Sequence, residues 1–297
     1  MRKTIAWLVL LVGASAAQMF AAATLTVIYV NYNGSDKAAC TRGAPCKTIT
    51  HALTVVPAGG VVDIVGSGTY DTFVVTSALT VKADPGVVAT INVPASGTGI
   101  TVNAASTDHV TLKGLTLQGT GGSGIGIQIN SAGRTTVEDC VSRNLHWGLG
   151  FTPSAASQLK ITGGSYEGSD TGIFTRAVFQ APGSNVAIDG VNVYGSSSNA
   201  AIAGDSDTVT ITRSMVTGDG ASTGIAFNGG TAVLENDVIS GYATGVAVGT
   251  EAFISSCAIT GNNVGVIANG LTHSRVDNTI VANGQNVNGT MTPFSPQ

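Results

Sequence analysis

The phrase VAIDGVNVYG at residues 186–195 returns in altered wording as VTITRSMVTG at 209–218, AVLENDVISG at 232–241 and AFISSCAITG at 252–261. Taking the third residue of each phrase as an anchor gives Leu112, Val137, Ile161, Ile188, Ile211, Leu234, Ile254 and Val276, spaced 25, 24, 27, 23, 23, 20 and 22 residues apart. A fixed period of this size is the mark of a solenoid, in which one repeat cannot bury its own apolar face and stacked repeats can. The residue two before each anchor is mostly apolar, and the residue just after it is polar every time, as in Lys113, Glu138, Asp189 and Glu235. Five after the anchor the side chain is again mostly apolar, as in Leu117, Val193, Val216 and Ile259. This is in-and-out alternation around a tight bend. Seven after the anchor stands Gly or Asn throughout, the residues that best tolerate a left-handed backbone.

A second short strand follows in most repeats, for example GLGF at 148–151, TGIF at 171–174 and TGVAV at 244–248. Two or three strands per repeat without a helix predict an all-β, parallel β-helix solenoid. Leucine-rich repeats share the period but need a Leu/Asn pattern that is absent, and a propeller blade needs about 40–45 residues. Composition agrees: 40 glycines, 43% hydrophobic residues and only 10% charged ones suit strands joined by Gly-rich turns rather than disorder. The net charge of −4, with no basic run after the N-terminus, argues against a nucleic-acid partner.

Residues 1–23 read as a signal peptide: Arg2 and Lys3, then the apolar IAWLVLLVG at 5–13, then small residues. The apolar run is too short to span a bilayer. An exported protein, periplasmic or extracellular, with no membrane span after signal removal is the expectation. Residues 24–60 read as an N-terminal strand, a cysteine loop and a capping helix, continuous in one domain with the β-helix of 61–297. The helix is read from Ile49, Ala52, Leu53 and Val56, spaced i, i+3, i+4, i+7 and stopped by Pro57. In an oxidising compartment Cys40 and Cys46 of CTRGAPC are expected to form a local disulfide, with no His or Cys close by to make a metal site of them. Cys140 and Cys257 both lie three after their anchors but five repeats apart, about 24 Å at the strand spacing, too far to pair. Both are expected to be buried core thiols.

Together these features resemble the right-handed parallel β-helix proteins of the pectate-lyase-like superfold. The N-terminal YVNYNGSD at 29–36, CTRGAPCKTITHAL at 40–53 and AGGVVDIV at 58–65 resemble a group of secreted bacterial β-helix proteins without assigned activity. That resemblance implies the fold and leaves function open, because the superfold carries lyases, hydrolases, adhesins and inert proteins. The Asp pair, Gly-His-Gly and Arg-x-Lys of polygalacturonase-like hydrolases are missing here, as is the acidic calcium cluster of pectate lyases. The segment DSD at 205–207 is the closest approach to such a cluster and reads as a turn.

The richest constellation lies on the second and third regular rungs. Equal offsets from their anchors put Arg143 beside Glu167 and His146 beside Asp170, one rung apart, with Trp147 and Arg176 nearby. A carboxylate-oriented His is acid/base equipment, and Trp147 offers a flat face to a sugar ring. Two readings stand. In the first the chain is a non-catalytic secreted β-helix that binds a polysaccharide or cell-envelope glycan, or is a surface scaffold. In the alternative it is a polysaccharide lyase or glycoside hydrolase, with His146, Asp170 and Arg143 catalytic and Trp147, Glu167 and Arg176 binding substrate. No cofactor or metal is expected, with Ca2+ needed only in the lyase case.

Overall fold

The computed structural model describes residues 25–176, 182–196 and 199–295. The proposed signal segment lies outside them. The chain winds into a parallel β-helix with three sheets. The second sheet shows the winding most simply: its ten strands run from Gly68–Tyr70 to Thr279–Val281, one per rung, all parallel. The first sheet carries the anchor strands, such as His109–Lys113, Arg134–Glu138 and Gln158–Thr162, paired in parallel at the predicted register: Leu112 opposite Val137, Val137 opposite Ile161, Ile161 opposite Ile188. The third sheet carries Ile125–Ser131, Trp147–Phe151 and Thr171–Thr175.

The corner between the first and second sheets is tighter than the sequence suggests. The residue two after each anchor has positive φ in seven successive rungs, between 51° and 67°: Gly114, Asp139, Gly163, Gly190, Arg213, Asn236 and Ser256. Four of these carry side chains, which hides the rule from a search for glycine. Each corner amide still finds the rung ahead, as in Asp139 N–H to Thr162 O (2.9 Å) and Arg213 N–H to Glu235 O (3.1 Å), so the left-handed residue leaves no orphan donor. At the Gly/Asn position seven after the anchor the expectation holds only in part. Asn144, Gly168, Gly195, Gly241 and Gly261 have positive φ. Gly119 and Gly218 are required for another reason: a Cβ at 119 would lie 2.1 Å from Asn144 O, and one at 218 would lie 2.5 Å from the Tyr242 ring.

One continuous core fills the winding, from Val30 to Ala268. Cys140 and Cys257 are buried within it, and burial pushes both thiols up to about 12, as inert core thiols require. At the N-terminal end Val27–Val30 pairs with Val61–Ile64, and the helix Ile49–Val55 packs against both with Ile49 and Ala52 buried. Thr48 caps it by accepting the His51 N–H, and the Asp71 carboxylate accepts the Ile49 and Thr50 N–H groups at 3.0 and 3.1 Å. The Cys40–Cys46 disulfide is formed. A histidine does sit beside it, contrary to expectation: a ring nitrogen of His51 and the two sulfurs lie within 4.8 Å of one another. Sulfurs bonded to each other are not thiolate ligands.

Two further expectations are corrected. Val276 is not an anchor: Ser274 pairs opposite Ile254, while Val276 is 98% exposed on a turn. The last corner is one residue longer, so Ile280 rather than Val281 takes the place opposite Ile259. The segment 205–207 is not a free turn. It lies in the single strand Ala200–Thr212, at a register shift where the chain passes from the third sheet to the first. At the C-terminal end Gln285–Pro293 forms the last strand, with Phe294 edge-on to Phe253 at 5.6 Å. Among the described residues no helix is long and apolar enough to cross a membrane.

Candidate functional site

The second-sheet strands Val141–Arg143 and Ser165–Ser169 pair so that Arg143 faces Glu167, as their offsets predict. Arg143 Nε donates to Glu167 Oε2 at 3.0 Å, and the Ser165 hydroxyl donates to Oε1 at 2.6 Å. The Ser165 hydroxyl and the Arg143 guanidinium together hold the Glu167 carboxyl below its ordinary value. Both carboxylate oxygens are therefore already engaged. One rung neighbour further on, Tyr194 faces Glu167 and is 58% exposed. It is an aromatic the sequence reading passed over, because it sits alone among polar residues.

The chain then turns from the second sheet to the third, which brings His146 and Asp170 together. His146 Nδ1 lies 2.8 Å from Asp170 Oδ2, with the two side chains 39% and 35% exposed. Trp147 opens the third-sheet strand and folds its ring back over Gly150. A Cβ at Gly150 would come within 2.9 Å of Trp147 Cε3 and 2.6 Å of Gln128 Oε1, so only glycine leaves room for the indole there. Gly150→Ala is accordingly expected to displace Trp147, the one tryptophan among the described residues, and to shift its fluorescence to the red. An unchanged emission spectrum would refute that placement.

Gly150 pairs with Phe174 on the next rung. The rings stack: Trp147 and Phe174 with centroids 4.3 Å apart and 20° between planes, His146 and Trp147 at 5.1 Å and 25°. Trp147 thus does not present a flat face to solvent as expected, because its ring is engaged by its neighbours. Phe174, not singled out in the sequence, ends the stack. Arg176 directly follows the strand Thr171–Thr175 and is exposed. It borders a cavity of about 200 Å³ that begins at Phe174. The structure therefore gathers all six of the sequence-derived residues on two adjacent rungs, in two pairs, an aromatic stack and a flanking cation. The wider trough on the first sheet, about 510 Å³ and lined by residues such as Arg134, Thr136 and Lys160, holds none of them.

This geometry can hold an imidazole in one orientation for proton transfer, and it can present aromatic and polar groups side by side to a hydroxylated ring. Comparison with known proteins bears on the frame. The fold is similar to that of the pectate lyase Pel9A, with a TM-score of 0.52 at 13% identity over 92% of this chain and 79% of that one. In fold, the chain resembles the pectate-lyase-like parallel β-helix proteins. A rhamnogalacturonan lyase aligns with a TM-score of 0.46 at 16% identity, covering 84% of this chain and 72% of that one. The Dettilon tailspike protein aligns with a TM-score of 0.47 at 13% identity, over 91% and 70%. A family model described as a protein of unknown function (DUF1565) matches residues 32–77, which hold the cysteine loop, the helix and the first rung. No curated protein matches the sequence.

Proposed function

We propose that the protein binds a polysaccharide, without cleaving it, at the surface formed by the second and third regular rungs. The observation that carries this reading is the half-buried aromatic stack of His146, Trp147 and Phe174, which ends at Phe174 and is bordered by polar groups. Aromatic rings beside hydrogen-bonding groups suit a sugar, whose C–H faces are apolar and whose rim is hydroxylated. The ion pairs argue against a two-carboxyl glycosidase. A glycosidase needs two carboxyl groups facing one bond, one to give a proton and one to attack or to activate water. Here Glu167 is occupied by Arg143 and Ser165, and Asp170 by His146. Export to the cell surface or periplasm fits such a role, and a glycan is the partner.

The test is co-elution with a panel of polysaccharides, monitored by light scattering. The expected result is protein carried with a polymer of unchanged length, and an affinity reduced roughly tenfold by Trp147→Ala, which removes the support beneath Phe174. Shortening of the polymer, abolished by His146→Ala or Asp170→Asn, would overturn the binding reading in favour of a lyase or hydrolase.

A further inference from the structure

The aromatic stack stops at Phe174 for a reason visible in the register. The next rung places Ala203 opposite Phe174, and the rung after it places Ala226 opposite Ala203. Two methyl groups cannot continue a column of rings. Phe174 meets Trp147 on one side, and on the other it borders the cavity of about 200 Å³ whose floor is Ala203 and Ala226. The rim carries Arg176, Asp205 and Asn228. Asp205 Oδ1 is buried and has no hydrogen-bond partner among the described residues, so one oxygen of this carboxylate is short of a donor.

We infer that this slot is a subsite for a single uncharged sugar ring, which takes the next layer of the stack against Phe174 and donates hydroxyl hydrogens to Asp205. The inference rests on the glycan-binding reading and names the class of glycan. Three observations carry it. First, the volume lies below the ~300–1,000 Å³ of sites for drug-sized ligands and suits one ring. Second, the rim pairs one cation with one anion: Asp205 accepts from hydroxyls, Arg176 and Asn228 donate to them, and a carboxylated sugar would meet Asp205 as a like charge. Third, several cations away from the slot are already paired: Arg143 with Glu167, Lys113 with Glu138 and Arg213 with Asp189, and the chain carries a net charge of −4. A polyuronate needs a run of uncompensated cations, by the same electrostatics that govern nucleic-acid backbones.

The experiment measures affinity for three neutral polymers (arabinan, mannan and β-glucan) and two acidic ones (polygalacturonate and alginate) at low and physiological salt. Three variants are compared with the parent: Ala226→Phe, which fills the slot; Asp205→Asn, which keeps its shape and removes the acceptor charge; and Trp147→Ala. The expected result is binding of a neutral polymer, little affected by salt, and weakened roughly tenfold or more by Ala226→Phe and by Asp205→Asn. Should Ala226→Phe fail to fold, judged by its thermal melt, Asp205→Asn carries the test alone. Neutral-polymer binding that responds to Trp147→Ala but not to Asp205→Asn would overturn the slot and leave the binding reading standing. Tighter, salt-sensitive binding of an acidic polymer would overturn the assignment to an uncharged ring. Binding of none of the five would overturn both.

Discussion

At mildly alkaline pH, Asp237→Asn is expected to be more stable to urea than the parent chain, by on the order of 3 kcal/mol. Asp237 stands three after its anchor, in the corner column that also holds Cys140 and Cys257, and it is only 1% exposed. Burial pushes its carboxyl from the ordinary 3.8 up to about 7, opposed by hydrogen bonds from the Ser214 and Glu235 N–H groups and reinforced by the charges of Asp189 and Glu235. Below about pH 4 both folded and unfolded chains hold this proton. As pH rises from there to about 7 the unfolded chain releases it and the folded chain does not, so stability falls, by a total on the order of 4 kcal/mol. Above that window the penalty is constant.

Asparagine removes the titration and keeps an acceptor for the Ser214 N–H, which Asp237 Oδ1 now takes at 2.8 Å. The contact from the Glu235 N–H, at 3.2 Å to Oδ2, loses its acceptor, which offsets about 1 kcal/mol. The fold already uses this solution two rungs on, where Asn278 Oδ1 accepts the Cys257 N–H at 2.9 Å. The measurement is a set of urea melts of both chains from acid to alkaline pH. The carboxyls held low, at Asp36, Asp84, Glu167 and Asp277, are common to both and cancel in the difference. Curves that run parallel across the whole range would remove Asp237 as the source. Asp237→Ala should behave differently, costing about 1–3 kcal/mol even in acid, because it leaves the buried Ser214 N–H unpaired.

Phe227→Ala is expected to cost about 3–5 kcal/mol and to split the unfolding transition. Phe227 is fully buried and faces Gly204 on the preceding rung. A Cβ at Gly204 would lie 2.7 Å from its ring, so the phenyl occupies space that the glycine vacates. Across the rung on the other side stands Val248. Truncation leaves a cavity with no side chain at 204 able to relax into it, which places the cost at the upper end of large-to-small substitutions. Each rung touches only its neighbours, so a void at this level weakens the coupling between the two halves of the solenoid. The expected signature is a lower midpoint and a shallower slope in urea, with Phe227→Leu recovering most of both. A single transition of unchanged slope, shifted by less than about 1 kcal/mol, would show that the core closes over the gap.

Much of the architecture follows from the sequence alone, since stacking turns a one-dimensional period into a two-dimensional lattice. Once Val137 and Ile161 are recognised as equivalent, the offsets of Arg143, His146, Glu167 and Asp170 bring the first to the third and the second to the fourth, and the structure places them so. The same register sets Lys113 opposite Glu138, and their side chains meet at 3.0 Å. Counting failed at the last anchor. The last rung carries polar Ser274 in the anchor place opposite Ile254, so the apolar signal points to exposed Val276 instead. Counting also could not separate the two reasons for a glycine. Gly241 is needed for its backbone angle, whereas Gly218 yields to the Tyr242 ring on the next rung.

What periodicity determines is which residues share a column; what only the tertiary structure decides is how side chains fill the space between columns. Trp147 could be placed on its rung by counting, but that its ring lies back over Gly150 and against Phe174 depends on a missing Cβ and a neighbour 27 residues ahead of it. The slot beside Phe174 is likewise a difference in size between residues on three rungs, Phe174, Ala203 and Ala226, each unremarked by itself in the chain. Alternation and spacing are properties of one strand and are set by backbone geometry. A cavity is set by the volumes that several strands leave unfilled, and it has no counterpart along the sequence.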